Sequence, residues 1–414
     1  MNVVGIIAEY NPFHNGHLYQ IQQAREETNA DYVVVILSGN YVQRGTPAIA
    51  DKYTRTKMAL SCGADLVFEL PTVYATASAE CFAFGGVSLL HSLGFVTHLC
   101  FGCETPNPEL FLLLANLYTT EPACYKEQLL SYIKNGLSFP KARYQATIDY
   151  FKEQKNTSFS LKEIEHVLNQ PNNILAIEYT KALQALGSSI KPVPIQRKQS
   201  GYHEKNLTNP ISSATGIRTE YEQNQDFQTI EKHIPSTALS YLKQANKKTF
   251  PVVADDFSSL LYYKLLHTTK HEGYSEVSSH LFQRIKKKLS MDLSYTQFAS
   301  ELKSKDYVYT RICRGLLQIL LELKHTDPKK RPPYLRLLGL NKAASHLISS
   351  KKDTDFHPLV PVITKVADAK SILSDVDYEI FQIDLTSSQI YYHICHQKFG
   401  SMPKSEYQQG PVIM

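Results

Sequence analysis

Val3-Val4-Gly5-Ile6-Ile7-Ala8, running straight into Glu9-Tyr10-Asn11-Pro12-Phe13-His14-Asn15-Gly16-His17-Leu18, is the stretch whose reading decides the fold. The first six residues form an unbroken apolar run, as expected of a strand buried on both faces of a parallel sheet. Asn11-Pro12 signals a turn, and Pro12 with Phe13 stiffens the entry into a helix. His14 and His17 stand three apart, so both fall on one face of the first helical turn. Gly16 removes a side chain where a nucleotide would approach the backbone, and the helix N-terminus supplies amide N–H groups and positive partial charge for phosphates. A His-x-Gly-His set directly after a first strand therefore points to a nucleotide-phosphate site.

Further segments extend the pattern: Ser38-Gly39-Asn40-Tyr41-Val42-Gln43-Arg44-Gly45, Asp65-Leu66-Val67-Phe68-Glu69-Leu70-Pro71, Phe101-Gly102, Asn172-Asn173-Ile174-Leu175-Ala176 and Ile211-Ser212-Ser213-Ala214-Thr215-Gly216-Ile217-Arg218. Together with the opening run they closely resemble the bacterial tRNA(Met) cytidine acetate ligase family, a branch of the HIGH nucleotidyltransferases. The resemblance covers the first ~220 residues; the rest matches in length and texture. It implies ATP contacts along Ile7, Ala8, Glu9, Tyr10, Asn11, Pro12, Phe13, His14, Asn15, Gly16, His17 and Leu18, and at Gly102, Asn173 and Arg197. It also implies that Ser212, Ser213 and Arg218 belong to a second phosphate motif, in which hydroxyls cap a helix and the arginine neutralises phosphate. Aligned on Arg218, the chain has Ala214 where that motif has its second serine.

With 414 residues, the chain exceeds one ordinary core and predicts two domains. Its 43% hydrophobic and 20% charged content is that of a soluble globular protein. No apolar run approaches the ~18 residues of a membrane span, and the apolar start carries no basic leader or cleavage site. Seven scattered cysteines suit a reducing cytoplasm rather than a disulfide framework. Cys100 and Cys103 have Cys-x-x-Cys spacing, but no second pair completes a zinc site, and no protein ligand set for a metal is expected. Glu9 and Asp51 could hold Mg2+ through water, though their spacing does not demand it.

Charge is asymmetric. Residues 1–225 carry 18 Lys+Arg against 20 Asp+Glu, whereas residues 226–414 carry 26 against 19. Within 301–352 the count is 12 against 4, including Lys324, Lys329, Lys330, Arg331, Arg336, Lys342, Lys351 and Lys352. Such a block suits a polyanion or a solvated lysine face, with Tyr307, Tyr309 and Tyr334 as candidate base-stacking groups. Lys52, Arg55 and Lys57 form a second basic cluster, read as a solvated helix face or a phosphate contact.

Strand-like runs at Tyr32–Leu37, Leu66–Leu70 and Val96–Phe101 alternate with helical stretches at about 17–28, 52–62 and 77–93, Asp51 capping the second. This is βαβαβ grammar: an α/β, doubly wound parallel sheet whose ligand crevice lies at the carboxyl ends of strands. Residues 105–190 read as mostly helical, with a short extended piece at Ile190–Ile195. Past Asp226 helical periodicity dominates, and Tyr334–Ser350 reads as a helix pair turning at Gly339-Leu340-Asn341. The expected organisation is a nucleotidyltransferase-like catalytic domain over 1–225 and a mostly helical, basic, tRNA-binding domain over 226–414.

A site of this kind binds ATP so that an external nucleophile attacks the α-phosphate and expels pyrophosphate, catalysis being positioning and charge neutralisation. His14, His17 and Arg218 are the catalytic candidates. The residues do not name the nucleophile. The resemblance implies acetate, activated as acetyl-adenylate and transferred to the wobble cytidine of elongator tRNA(Met), in the cytoplasm, with no membrane or stable protein partner. Two other classes fit the residues: an adenylyltransferase for a small phosphorylated metabolite, and a non-catalytic ATP-sensing RNA-binding protein, the latter disfavoured by the intact histidine pair.

Overall fold

The computed structural model describes residues 1–154, 158–197, 212–324, 327, 329–348 and 357–414. Its central sheet is built from β1 (Val3–Ala8), β2 (Tyr32–Ser38), β5 (Leu66–Leu70), β6 (His98–Cys103), β7 (Lys191–Gln196), β8 (Leu335–Leu340), β9 (Val362–Ile363) and β10 (Val412–Ile413). A separate hairpin pairs β3 (Tyr41–Val42) with β4 (Thr46–Pro47). The order across the sheet is β10-β8-β5-β2-β1-β6-β7, with β9 also on β8. From β5 to β7 every pairing is parallel. The chain first winds outward from β1 to β2 and β5, then returns to the other side of β1 with β6 and β7. The order thus reverses between β1 and β6, which puts the ligand crevice of a doubly wound sheet at their carboxyl ends.

The strands alternate strictly. Val34 and Ile36 enter one core with the helices Ala79–Ser92, Pro108–Thr120 and Pro171–Ala185, while Val33, Val35 and Leu37 enter the other with Asn15–Thr28, Lys52–Ser61 and Ser236–Ala245. Both faces are covered, which is why these strands read as continuous apolar runs rather than alternating ones. The described residues of the segment 105–190 are mostly helical, as expected, and this segment joins β6 to β7.

The stretch expected to be a helix pair at Tyr334–Ser350 is instead β8 followed by a 3-10 helix at Lys342–Ile348. Short apolar runs do not distinguish strand from buried helix by period alone. Here Leu335–Leu340 is buried along its whole length, antiparallel to β5 on one edge and paired with β9 and β10 on the other. Gly339 is a close-packing position rather than a turn: a Cβ there would lie 2.7 Å from Thr56 Cγ2 and 2.9 Å from the Val412 carbonyl oxygen. The 226–414 segment, expected to be a second helical unit, therefore contributes three strands to the same sheet. Among its helices, Ser258–His267, Ser279–Lys288, Tyr295–Glu301, Tyr309–Leu320 and the long Asp375–Phe399 share a third core that also takes in Tyr41 of the β3–β4 hairpin.

A buried charge cluster locks this return. Glu69 on β5 accepts from Lys52 Nζ at 2.7 Å and faces Arg336 Nη1 of β8 at 3.3 Å. Glu406 pairs with both Lys52 (3.2 Å) and Arg336, and takes hydroxyl donations from Tyr53 (3.0 Å) and Tyr392 (3.1 Å). All four ionised side chains are at most 3% exposed. The two guanidinium and ammonium partners hold the Glu406 carboxyl down at about 2 against the opposing effect of burial. Burial and neighbouring Glu69 push Asp384 up to about 6, although Tyr334 Oη donates to it at 2.5 Å and the Thr72 amide at 2.7 Å. Lys52, Arg336 and Tyr334 are accordingly interior groups and not a solvated face, a phosphate contact or a stacking platform. Removing one member of a buried ion network leaves its partners charged and unpaired, at about 3–5 kcal/mol. Glu69→Gln should lower unfolding free energy by that order in a denaturant titration; a loss under about 1 kcal/mol would show that the cluster is not what ties β8 to the sheet.

Candidate active site

The loop between β1 and the Asn15–Thr28 helix is held from behind. Arg55, fully buried, donates to the carbonyls of Glu9 (2.7 Å) and Ser38 (2.9 Å), and also to that of Gly39. Arg218 Nη1 donates to the Asn11 carbonyl at 2.6 Å, and Asn11 Oδ1 accepts from the Ile49 amide at 2.7 Å. Phe13 is wholly buried, packing edge-on against Tyr10 with ring centroids 4.7 Å apart. Asp51 caps the Lys52–Ser61 helix as expected, through the amides of Tyr53 and Thr54.

His14 is the N-cap of the Asn15–Thr28 helix. Its Nδ1 accepts from the Gly16 amide at 3.0 Å, while His17 Nδ1 accepts from the His14 amide at 3.2 Å. A ring nitrogen that accepts carries no proton, so both neutral imidazoles hold hydrogen on Nε2 and present it as a donor. The rings stack at 3.7 Å. Burial, then Arg197 and Arg218, pushes His14 down to about 3; burial, then His14 and Arg197, holds His17 well below its ordinary value. The pair is a neutral donor set, His17 facing the crevice and His14 stacked behind it at 4% exposure.

The crevice in front has a volume of about 500 Å³. Ile7, Ala8, Phe101 and Gly102 bring the ends of β1 and β6 to it, and Glu9, Tyr10, Asn11 and His17 bring the loop and first turn. Leu175 and Tyr179 complete an apolar wall, the Tyr179 ring 5.5 Å from that of Phe101. Among the described residues, Arg44 and Arg197 line it against one carboxylate, Glu9, so the balance of these groups favours an anion. Gly102 leaves room for Arg197 to cross the sheet edge, since a Cβ would lie 3.1 Å from Arg197 Cγ.

Not every candidate from the sequence lines the crevice. Pro12 and Phe13 are buried beneath the loop, Asn15 Nδ2 donates to the Lys232 carbonyl at 2.8 Å, and Leu18 packs on the core. Asn173 is fully buried, its Oδ1 accepting from the amides of Glu104 and Thr105 at 3.0 and 3.1 Å. Its neighbour Asn172 lines the crevice instead and accepts from Arg197 Nη1 at 3.3 Å. Glu104 occupies the N-terminus of the Pro171–Ala185 helix, accepting from Asn172 Nδ2 at 2.6 Å and the Asn173 amide at 3.0 Å. In the second motif Ser213 caps the Ala214–Asn224 helix through the Gly216 amide at 3.1 Å, and Ser212, buried, bonds His233 Nδ1 at 3.1 Å. Ala214 brings that helix start to the crevice, while Arg218, one turn on, braces the Asn11 carbonyl. Lys198 and Ile211 lie outside the described residues.

Sequence reasoning missed Arg44, Gln43, Glu104, Asn172 and Thr310. The first two lay inside a quoted motif to which no role had been attached. Thr310 comes from the helical second half, and nothing in its surroundings marks it. Cys100 and Cys103 are buried thiols pushed upward by that burial, and no cluster of three or more metal-ligating side chains exists among the described residues. Asp51 has both carboxylate oxygens engaged, by two amides and the hydroxyls of Thr54 and Thr249, which removes it as an ion ligand.

A doubly wound sheet with a neutral histidine pair at its switch point and an arginine-lined crevice defines a nucleotidyltransferase of the HIGH class. The HIGH Nucleotidyl Transferase family model matches residues 1–406. A Clostridium tetani protein named tRNA(Met) cytidine acetate ligase is 39% identical over 419 residues, covering 100% of both chains, and a Halothermothrix orenii protein of the same name is 42% identical over 379, covering 87% of each. Thermotoga maritima TmcAL bound with alpha-thio ATP superposes with a TM-score of 0.90 at 29% identity, over 100% of this chain and 99% of that one. The apo form of the same protein gives 0.93 at 28% identity, over 100% of both. The chain belongs to the HIGH nucleotidyl transferase family and, within it, to the tRNA(Met) cytidine acetate ligase family.

The buried neutral histidines have a consequence for stability. In the unfolded chain His14 takes up a proton near 6.5, whereas in the fold it does so only near 3. The unfolded state thus binds more protons between those values, and stability falls as pH falls from 6.5 towards 3, at up to about 1.4 kcal/mol per pH unit for each such group. His14→Asn, which keeps a capping side chain, should flatten this acid limb by up to one proton in nucleotide-free denaturant titrations at stepped pH. An unchanged slope would mean that His14 is not buried in its neutral form.

Proposed function

We propose that this protein acetylates the wobble cytidine of elongator tRNA(Met), using ATP and acetate. An acetate oxygen attacks the α-phosphorus of ATP, and the bond to the β-phosphate breaks to give acetyl-adenylate and pyrophosphate. The exocyclic amine of the cytidine then attacks the acetyl carbon, AMP leaves, and the nitrogen loses a proton to give N4-acetylcytidine. The observation that carries this reading is the pair of Nε2–H donors at the β1–β6 switch point. They are fixed by backbone amides and kept neutral by burial, and the Clostridium tetani and Halothermothrix orenii relatives both carry the ligase name.

Rigid donors that need no reorientation suit charge that develops on phosphate oxygens in the transition state. His17 would donate directly to the triphosphate. His14 would hold the ring of His17 by stacking and donate beside it, and Arg218 would position both by fixing Asn11 while adding positive potential. Arg197 and Arg44 would neutralise the phosphates from the sides, and the Phe101–Tyr179 wall would take the base. Glu9 is the lining carboxylate that would face Mg2+ carried in on the triphosphate, where the ion would help neutralise departing pyrophosphate. No helix among the described residues is long and apolar enough to cross a membrane. We place the reaction in the cytoplasm, in keeping with seven unpaired cysteines.

Acetate-dependent exchange of labelled pyrophosphate into ATP tests the first half-reaction. His17→Ala should leave the fold intact, because His17 borders the open crevice and its helix keeps the His14 cap, and should slow exchange by about 10²–10³, the usual effect of losing one charge-stabilising donor. Normal exchange in that variant would remove the histidines from the mechanism. Exchange that requires a phosphorylated metabolite rather than acetate would replace the ligase with a small-molecule adenylyltransferase.

A further inference from the structure

The basic block at 301–352 disperses in the fold. Arg336 is inside the ion cluster, Arg314 Nε pairs with Glu276 at 3.0 Å, and Lys351 and Lys352 lie outside the described residues. Three lysines far apart in sequence instead converge on one cavity of about 350 Å³: Lys57 on the Lys52–Ser61 helix, Lys248 just past the Ser236–Ala245 helix, and Lys404 in the segment after Asp375–Phe399. Among the described residues none of the three has a carboxylate within salt-bridge distance. Among the described residues, the one acidic side chain lining the cavity is Asp51, whose oxygens already accept four hydrogen bonds. Tyr53 and Tyr392 form its floor with their hydroxyls turned to Glu406, while Tyr241 and the Gln244 and Gln409 amides complete the walls. The two loops that carry lysines are pinned together, Ser401 Oγ donating to the Lys248 carbonyl at 2.6 Å.

We propose that this cavity is a docking groove for the phosphate backbone of the RNA substrate; the inference rests on the tRNA reading above. Three ammonium groups against one saturated carboxylate leave a local excess of positive charge, and lysines are point charges suited to phosphates rather than to one planar ligand. The groove is also wired to the crevice. Asp51 follows Ile49 by two residues, the Ile49 amide donates to Asn11 Oδ1 at 2.7 Å, and the Ile49 carbonyl accepts from the Val252 amide at 2.9 Å. On the Lys52–Ser61 helix, Arg55 reaches the Glu9 carbonyl while Lys57, two residues on and roughly opposite round the helix, faces the groove. The groove and the loop that carries the histidines are therefore braced by the same helix, on opposite sides of it. A chain that delivers a base to the crevice must pass over adjoining surface, and this groove is where its phosphates would be neutralised.

The test is Lys57→Ala/Lys248→Ala/Lys404→Ala in the full chain, with filter binding to tRNA(Met) across a salt series. The expected result is a loss of tRNA affinity on the order of tenfold near 0.15 M salt and a log–log salt slope shallower by about 2–3, from roughly 0.7–0.9 per phosphate contact. Acetate-dependent pyrophosphate exchange should be unchanged. If the triple variant melts early, Lys404→Ala alone, on an exposed segment, should still lower the slope by about one. Unchanged affinity and slope, with wild type binding tRNA normally, would overturn the groove and leave the ligase reading intact. Failure of wild type to bind tRNA at all would overturn both. Protection of wild type, but not of the variant, against melting by millimolar inorganic phosphate, with tRNA affinity unaltered, would assign the groove to a small anion and overturn the RNA proposal.

Discussion

Everything around the crevice depends on where the Lys52–Ser61 helix sits, and the buried ion cluster sets that position. Lys52 at its start is tied to Glu69 on the central sheet and to Glu406 near the chain's end. One turn on, Arg55 uses the same anchorage to hold the Glu9 carbonyl of the loop after β1 together with the Ser38 and Gly39 carbonyls at the end of β2. The close approach demands Gly39, where a Cβ would fall 2.5 Å from Glu69 Oε1. Burying four charges is expensive, and a well-packed apolar set of equal volume can match or exceed such a network in stability. What the network adds is direction: two cations and two carboxylates in register admit one arrangement of β5, β8 and the C-terminal segment. This is a specificity role at the junction where a late part of the chain rejoins an early one.

The site's electrostatics follow from packing as much as from residue type. Histidine at the surface would be partly protonated near neutral pH, and a doubly protonated stacked pair beside two arginines would be strongly self-repelling. Burial and those arginines suppress the charge, and the backbone amides then fix the tautomer. The imidazoles thus supply hydrogen bonds, while formal charge is left to Arg44, Arg197 and Arg218. This separation keeps the donors neutral and oriented near neutral pH.

The helical second half is not hung on a linker. Tyr295 Oη donates to the Gly45 carbonyl at 3.1 Å, Tyr391 Oη to that of Ala48 at 2.8 Å, and Tyr41 Oη to that of Ser387 at 3.0 Å. Gly45, at φ +78°, lies so close to the Tyr309–Leu320 helix that a Cβ would come within 2.3 Å of the Arg314 amide nitrogen. The hairpin held in this way carries Gln43, whose amide donates to Glu9 Oε1 at 2.8 Å, and Arg44, which lines the crevice beside Thr310. The abundance of tyrosine, 26 in the chain, finds much of its use here, as long rings whose hydroxyls bridge the two halves.

The parallel core, the strand–loop–helix that carries His14 and His17, the Asp51 cap and the helical 105–190 insertion were all legible from sequence. Each is a local pattern: a period, a cap, a turn or a fixed spacing. The strand character of Leu335–Leu340 was not legible, because a short apolar run is a strand only if a neighbour offers a free edge, and that edge belongs to β5, about 270 positions earlier. Lys52, Arg55 and Arg336 looked like solvent-facing charge, and their burial depended on carboxylates and carbonyls that only folding brings near. The choice of Asn172 over Asn173 for the crevice wall turned on helix phase, set by Glu104 at the helix start. Sequence alone determined the chemistry on offer and the parallel strands that carry it, since each is written in a short local run. Tertiary structure decided which charges stand inside, which face a ligand and how the second half closes the site, because desolvation and pairing depend on partners hundreds of residues apart.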